Sequence, residues 1–329
     1  MGKFVISVSP HIKGRASTTM IMLDVVIALI PALIASVFIF SIRSLLVTAV
    51  SVVTAVLSEY LFEKLCKRPV TVSDLSAVVT GILLAYNLPV SIPLWQAAFG
   101  SVVAIIVVKQ LFGGIGMNFA NPAITARIVM LLAFGTSMSH WLAPSTIGMF
   151  DLNLADLEAS ATPMTQMIKT DGTLPSLLDM MLGKRGGCIG ETCPLALLIG
   201  GIYLVAKRVI SVHIPLVFVG TVFVMSLLFA PETLASEISL LDYAIYQVLS
   251  GGLLLGAIFM ATDYVTSPVT SWGKIVFALG CGVITFMIRR YGNLPEGVSY
   301  AILFMNILTP YINKLTATRP FGGVKPDEK

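Results

Sequence analysis

Residues 21–40, IMLDVVIALIPALIASVFIF, carry a single charged side chain, and runs of the same kind recur down the chain. Repeated apolar runs near the length of a membrane span, about 20 residues, constrain the fold more than any other feature. Hydrophobic residues make up 56% of the 329, only 12% are charged, and the mean hydropathy is +0.91. Soluble domains carry about twice that share of charge. A chain this poor in polar groups cannot clothe itself for water, so membrane lipid is its expected solvent. The net charge of +4 gives no nucleic-acid footprint, and no nucleic-acid partner is expected. The start, MGKFVISVSPHIKGR, is short and mixed, and the first apolar run lacks an A-x-A-like exit, so no cleavable signal is read there.

Ten apolar segments emerge: 21–40, 44–62, 74–88, 93–111, 120–134, 193–207, 212–230, 243–261, 273–289 and 296–313. Those opening near Asp74, Asn121, Cys193 and Glu296 are short and flanked by Gly, Pro or Asn, the pattern of broken helices that line a cavity. Of the 21 Lys and Arg residues, Arg43, Lys169, Lys184, Arg185, Arg289 and Arg290 fall on one side of this threading and Arg127 inside a segment; all others fall on the opposite side. The positive-inside rule then predicts both termini in the cytoplasm. It divides the chain into a cytoplasmic segment (1–20), a membrane unit (21–134), an extracytoplasmic loop (135–192), a second membrane unit (193–313) and a cytoplasmic tail (314–329).

The two units share landmarks at one common offset. Gly81 pairs with Gly256, Asn118 with Asn293, Pro122 with Gly297, Ala126 with Ala301 and Met130 with Met305. The expected fold is therefore an all-α polytopic membrane protein of about ten transmembrane segments, in two inverted repeats of about five with short broken helices. Its helix starts are readable. Asn121 caps with Pro122 in the first turn, Thr192 or Cys193 precedes Pro194, and Asn293 precedes Pro295. Such N-termini expose unpaired N–H groups suited to anionic partners.

Charges within spans are costly and mark polar cavities or partners. Arg127 and Asp263 qualify, and Asp24, Glu59 and Asp74 lie in or at the edges of spans. Asp263, Asp24, Asp74 and Glu296 are the candidate ion-pathway carboxylates. Four cysteines make no disulfide framework, although Cys188 and Cys193 in GGCIGETC leave one pairing open. His11, His140 and His213 are scattered, so no metal site is expected. With no phosphate loop, dinucleotide fingerprint or catalytic triad, redox or group-transfer chemistry would have to come from a cofactor. The polar patch DLEASATPM (156–164) is the exception in an oily chain, and its Thr162 is either a turn residue before proline or a point of attachment.

Several blocks resemble one family: DLSAVVTGILLAYNLP (74–89), FGGIGMNFANPA (112–123), SATPM (160–164), GGCIGETC (186–193), GAIFMATDYVTSP (256–268) and PEGVSYAILFMN (295–306). They are similar to the D subunit of the Rnf complex and, more distantly, to the B subunit of the sodium-pumping NADH:quinone oxidoreductase. The resemblance implies flavin mononucleotide (FMN) joined by a phosphoester to the hydroxyl of Thr162, attached by a flavin transferase on the outer face of a bacterial or archaeal cytoplasmic membrane. Ser160 stands where many members carry Gly. Arg127, Glu191, Thr192 and Asn121 are the candidate flavin contacts. The resemblance also implies a translocase moving electrons between ferredoxin and NAD+, coupled to Na+ or H+ transport. Its partners would include a second flavinylated subunit and iron–sulfur subunits, and the related sodium pump adds a non-covalent riboflavin. The competing reading is a solute channel or transporter of inverted repeats without flavin, which would have no need of the Thr162 loop.

Overall fold

The computed structural model describes residues 17–144, 162–163, 175–231, 239–292 and 297–317. Asn293, Pro295, Glu296 and the SATPM neighbours of Thr162 other than Pro163 lie outside them. The described residues are helical, with one isolated bridge and no strand: α1 Thr18–Phe40, α2 Ile42–Leu65, α3 Ser76–Tyr86, α4 Leu94–Val102, α5 Pro122–Ala133, α6 Gly135–Met138 and α7 Leu177–Leu182. Then come α8 Pro194–Ala206, α9 His213–Leu228, α10 Leu240–Leu249, α11 Leu253–Leu255, α12 Ser271–Tyr291 and α13 Val298–Leu315. Two π-helical stretches extend this set, Val103–Gln110 directly after α4 and Gly256–Met260 directly after α11.

Each of the ten expected segments is helical, but they are not ten equal spans. Among the described residues, only α1, α2 and α12 are long and apolar enough to cross a bilayer alone, and α10 with Leu253–Met260 makes a fourth that bends by 60°. The 74–88 segment begins at Ser76, because Asp74 ends a single 3-10 turn and receives the Ser76 amide and hydroxyl. The resulting α3 of 11 residues is about 16 Å long, half a hydrocarbon core.

Close backbone approach sets the packing. A Cβ on Gly81 would lie 2.8 Å from Val52 Cα, so α3 rides on α2, where Ser51 Oγ donates to the Gly81 carbonyl. A Cβ on Gly200 would overlap the Ala28 carbonyl oxygen, and α8 packs along α1 at that point. Small residues at such contacts do in lipid what the hydrophobic effect does in water. Outward from the bundle stand Phe38, Leu132, Ile202, Leu216 and Leu228, all well exposed, as expected of a surface solvated by acyl chains.

Where helices are interrupted, backbone pairs across the interruption. The turn after α3 meets the turn before α8: the Ile189 amide donates to the Leu88 carbonyl (3.0 Å) and the Gly190 amide to the Tyr86 carbonyl (2.9 Å). Arg43 seals the far side of the same turn by donating to the Val90 and Ile92 carbonyls.

Gly200→Val is expected to force α1 and α8 apart and cost about 1–3 kcal/mol, the usual penalty of overpacking. Gly220→Ala, with nothing within 4 Å of its added methyl, is the control. Thermal unfolding in detergent reads both, and equal midpoints would refute this account of the contact.

Candidate functional site

The sequence candidates separate into two neighbourhoods. The first is a buried polar knot where α5, α12 and α13 approach the paired turns. Arg127 sits one and a half turns into α5 and is 3% exposed. Its Nη1 donates to Asn87 Oδ1 (3.0 Å) and Ser299 Oγ (2.9 Å), and its Nη2 faces Cys188 Sγ at 3.9 Å. Glu191 folds back on its own loop, accepting the Cys188 amide at Oε1 (3.0 Å), and a Cβ on Gly252 would lie 3.3 Å from its Oε2 and 3.6 Å from Arg127 Nη1. Thr192 is 1% exposed and its hydroxyl has no partner. Cys193 rather than Thr192 is the residue before α8, and it lends no side-chain cap. Cys188 and Cys193 are free thiols, which closes the disulfide question left open by their spacing.

Two arginines join this knot that charge counting assigns to the non-cytoplasmic side without regard to burial. Arg185 donates to the Glu191 carbonyl (2.8 Å), and Arg289 to the carbonyls of Gln247 (2.6 Å) and Ser250 (3.0 Å). They are 5% and 4% exposed. A signal for Arg289 exists in the sequence: it closes a helix whose preceding turn holds Thr285 on the buried face. Thr162 is buried, at 7% exposure, rather than displayed at a loop tip.

The second neighbourhood is a cleft lined by residues near the start of α1, and Met260 joins it to the first, since Asn87 Nδ2 donates to Met260 Sδ (3.6 Å). Asn121 belongs here rather than with Arg127. It caps α5 by accepting the Ala123 and Ile124 amides, while its Nδ2 donates to the Met260 carbonyl at the end of the second π-helical stretch. Asn118, Asp263, Thr262, Ser76 and Lys109 line the same cleft. It encloses a cavity of about 110 Å3, with about 820 Å3 of atom-free space once the mouth is included. Asp263 accepts from Thr266 Oγ1 and the Val265 amide, so one of its jobs is to close the turn after Met260. Asp24 stands apart on α1, held by Tyr203 Oη (2.7 Å) and Lys207 (3.9 Å) of α8 and the turn that follows it.

Behind the cleft lies an ion pair that sequence spacing could not reveal. The π-helical register turns both Lys109 and Gln110 inward onto α2. Lys109 Nζ donates to Glu59 Oε1 (2.6 Å) and to Ser76 Oγ (2.6 Å), and Gln110 Nε2 donates to the same Glu59 oxygen (2.7 Å). Glu63, one turn on, receives Thr71 through both its amide and its hydroxyl.

Comparison with known proteins places this geometry. The model of the NQR2, RnfD, RnfE family matches residues 5–322. The D subunit of the Na(+)-translocating ferredoxin:NAD(+) oxidoreductase complex of Acetobacterium woodii is 45% identical over 323 residues, 97% of this chain and 96% of that protein. Its counterpart in the proton-translocating ferredoxin:NAD(+) oxidoreductase complex of Clostridium ljungdahlii is 40% identical, with the same coverage. The D subunit of an ion-translocating oxidoreductase complex of Stutzerimonas stutzeri is 37% identical over 94% of the chain and 93% of that protein. The chain belongs to the NQR2, RnfD, RnfE family.

Breaking the buried pair from one side is expected to cost more than removing it. Lys109→Met leaves the Glu59 carboxylate without its counter-charge and should cost about 3–5 kcal/mol, whereas Lys109→Met with Glu59→Gln recovers much of that loss. Unfolding in detergent with increasing denaturant measures both, and a double variant no more stable than the single one would overturn the pairing.

Proposed function

We propose that this chain is the D-type membrane electron-transfer component of an Rnf-type complex, carrying FMN esterified to Thr162 and working in a translocase that couples ferredoxin:NAD+ electron transfer to movement of Na+ or H+. The observation that carries this reading is end-to-end likeness, over 97% of the chain, to relatives named as that component, with SATPM among the blocks that bear the resemblance. Two inverted repeats of about five spans in a bacterial or archaeal cytoplasmic membrane belong to the same proposal, with both termini cytoplasmic and Thr162 on the outer side. The contacts between α1 and α8 and between α5 and α13 support the repeats, since each pair joins elements that correspond between the halves.

The residues present fit a phosphorylated, hydrogen-bonding cofactor. The knot around Arg127 sets a guanidinium and the Ser299 hydroxyl inside an apolar bundle, and the Thr192 hydroxyl has bonding capacity to spare. A bound flavin supplies the electron-accepting and electron-donating chemistry. What the chain supplies is position and environment. Arg127 holds a fixed positive charge, Asn87 orients that charge, and the paired turns around Leu88 and Ile189 keep water out. The cleft lined by Asn118, Asn121 and Asp263 is the proposed seat of a second, non-covalent flavin such as riboflavin, whose rings would fill the mouth as well as the enclosed cavity. Electrons would pass to and from a second flavinylated subunit and iron–sulfur subunits. Asp263, Asp24 and Asp74 remain the proposed carboxylates of the ion path, with Glu296 outside the described residues.

Co-expression of the full chain with a flavin transferase, followed by a denaturing gel under ultraviolet light, tests the attachment. A fluorescent band is expected for the native sequence and for Thr165→Val, and none for Thr162→Val. A dark native band beside a labelled control substrate would refute the covalent flavin.

A further inference from the structure

Two buried guanidinium groups are still without a role. The carbonyl partners of Arg185 and Arg289 satisfy some of their donors, but neutral carbonyls do not cancel charge. Arg185 acts on Arg289, and among the described residues one carboxylate, Glu191, acts on both. Two buried cations sharing one anion are short of a negative charge, which an apolar interior tolerates poorly. Polar atoms in the same region are also unpaired. Arg289 Nε, Ser250 Oγ and Thr192 Oγ1 are all buried without a hydrogen-bond partner. Buried polar atoms are rarely left so, and an unpaired guanidinium N–H and two unpaired hydroxyls ask for an acceptor-rich anion. Gly251 (φ +64°) lets Arg289 close on this turn, since a Cβ there would lie 2.9 Å from its Nη2. Thr192 also stands just ahead of α8, whose N-terminal end adds partial positive charge of the same sign.

We propose that Arg185, Arg289, Thr192 and Ser250 form a buried site for one phosphoryl anion. Its favoured occupant is the phosphodiester of the Thr162-linked flavin, and in that respect the inference rests on the function proposed above; free phosphate brings the same chemistry. The site gives the tethered cofactor a second anchor, ionic where the first is covalent.

Two arms test it on the full chain in detergent. In the flavinylated protein, the 31P resonance of the diester is expected to differ between native and denatured states. Arg289→Gln and Thr192→Val should each return the native resonance toward the denatured position while the fluorescent gel band stays as bright. In Thr162→Val protein, inorganic phosphate but not chloride should raise the melting midpoint if free phosphate is the occupant, with Thr192→Val needing about tenfold more phosphate for the same shift. Thr192→Val also guards against simple misfolding. Its hydroxyl has no partner to lose, so the anion-free variant should melt no lower than its parent. A bright gel band with a 31P resonance indifferent to both substitutions, and no phosphate response in the second arm, overturns the site and leaves the covalent flavin standing. A dark band with a phosphate response that Thr192→Val weakens does the reverse.

Discussion

Every feature of this fold answers to one constraint: a backbone N–H or C=O inside a bilayer must find a partner in the protein. Long helices meet that demand internally. The short ones, α3, α5, α8 and α11, cannot, and they end in turns whose carbonyls would otherwise be bare. The chain repairs those ends with cations and amides. Arg43 covers Val90 and Ile92, Arg68 covers Gln110, Arg289 covers Gln247 and Ser250, and Asn121 covers Met260. Residues that read from the sequence as topology markers thus serve as caps for broken helices.

The same repairs create the functional ground. A broken helix brings polar atoms to depth, and once there they can be turned toward a ligand as readily as toward a carbonyl. The knot around Arg127 and the cleft around Asn121 both grow from helix ends, and Met260 touches both.

Much of this is legible in the sequence. The apolar runs locate the helices within a few residues, because in lipid hydrophobicity rather than fine periodicity decides what becomes helical. Asn121–Pro122 announces the start of α5, where the asparagine side chain and the proline ring each serve a known need of a first turn. What stays hidden depends on pairing over distance. Glu59 meets Lys109 only because a π-helical register turns the lysine inward, and nothing in VAIIVVKQ marks that register. Charge counting by side cannot tell that Arg185 and Arg289 are buried, because it treats every arginine as solvated. The burial of Thr162 is not legible either, since a polar patch looks the same whether or not the fold covers it.

The pairing of the two interrupted turns also bears on how the chain is made. The Tyr86 and Leu88 carbonyls receive their donors from Gly190 and Ile189, about 100 residues later in synthesis, or roughly 5–20 s on the ribosome. During that interval the first unit has an unsealed turn at depth. Insertion of this protein is therefore not a march of independent hairpins. Its first half must wait, partly wet or sheltered by the insertion machinery, until the second half arrives to close it.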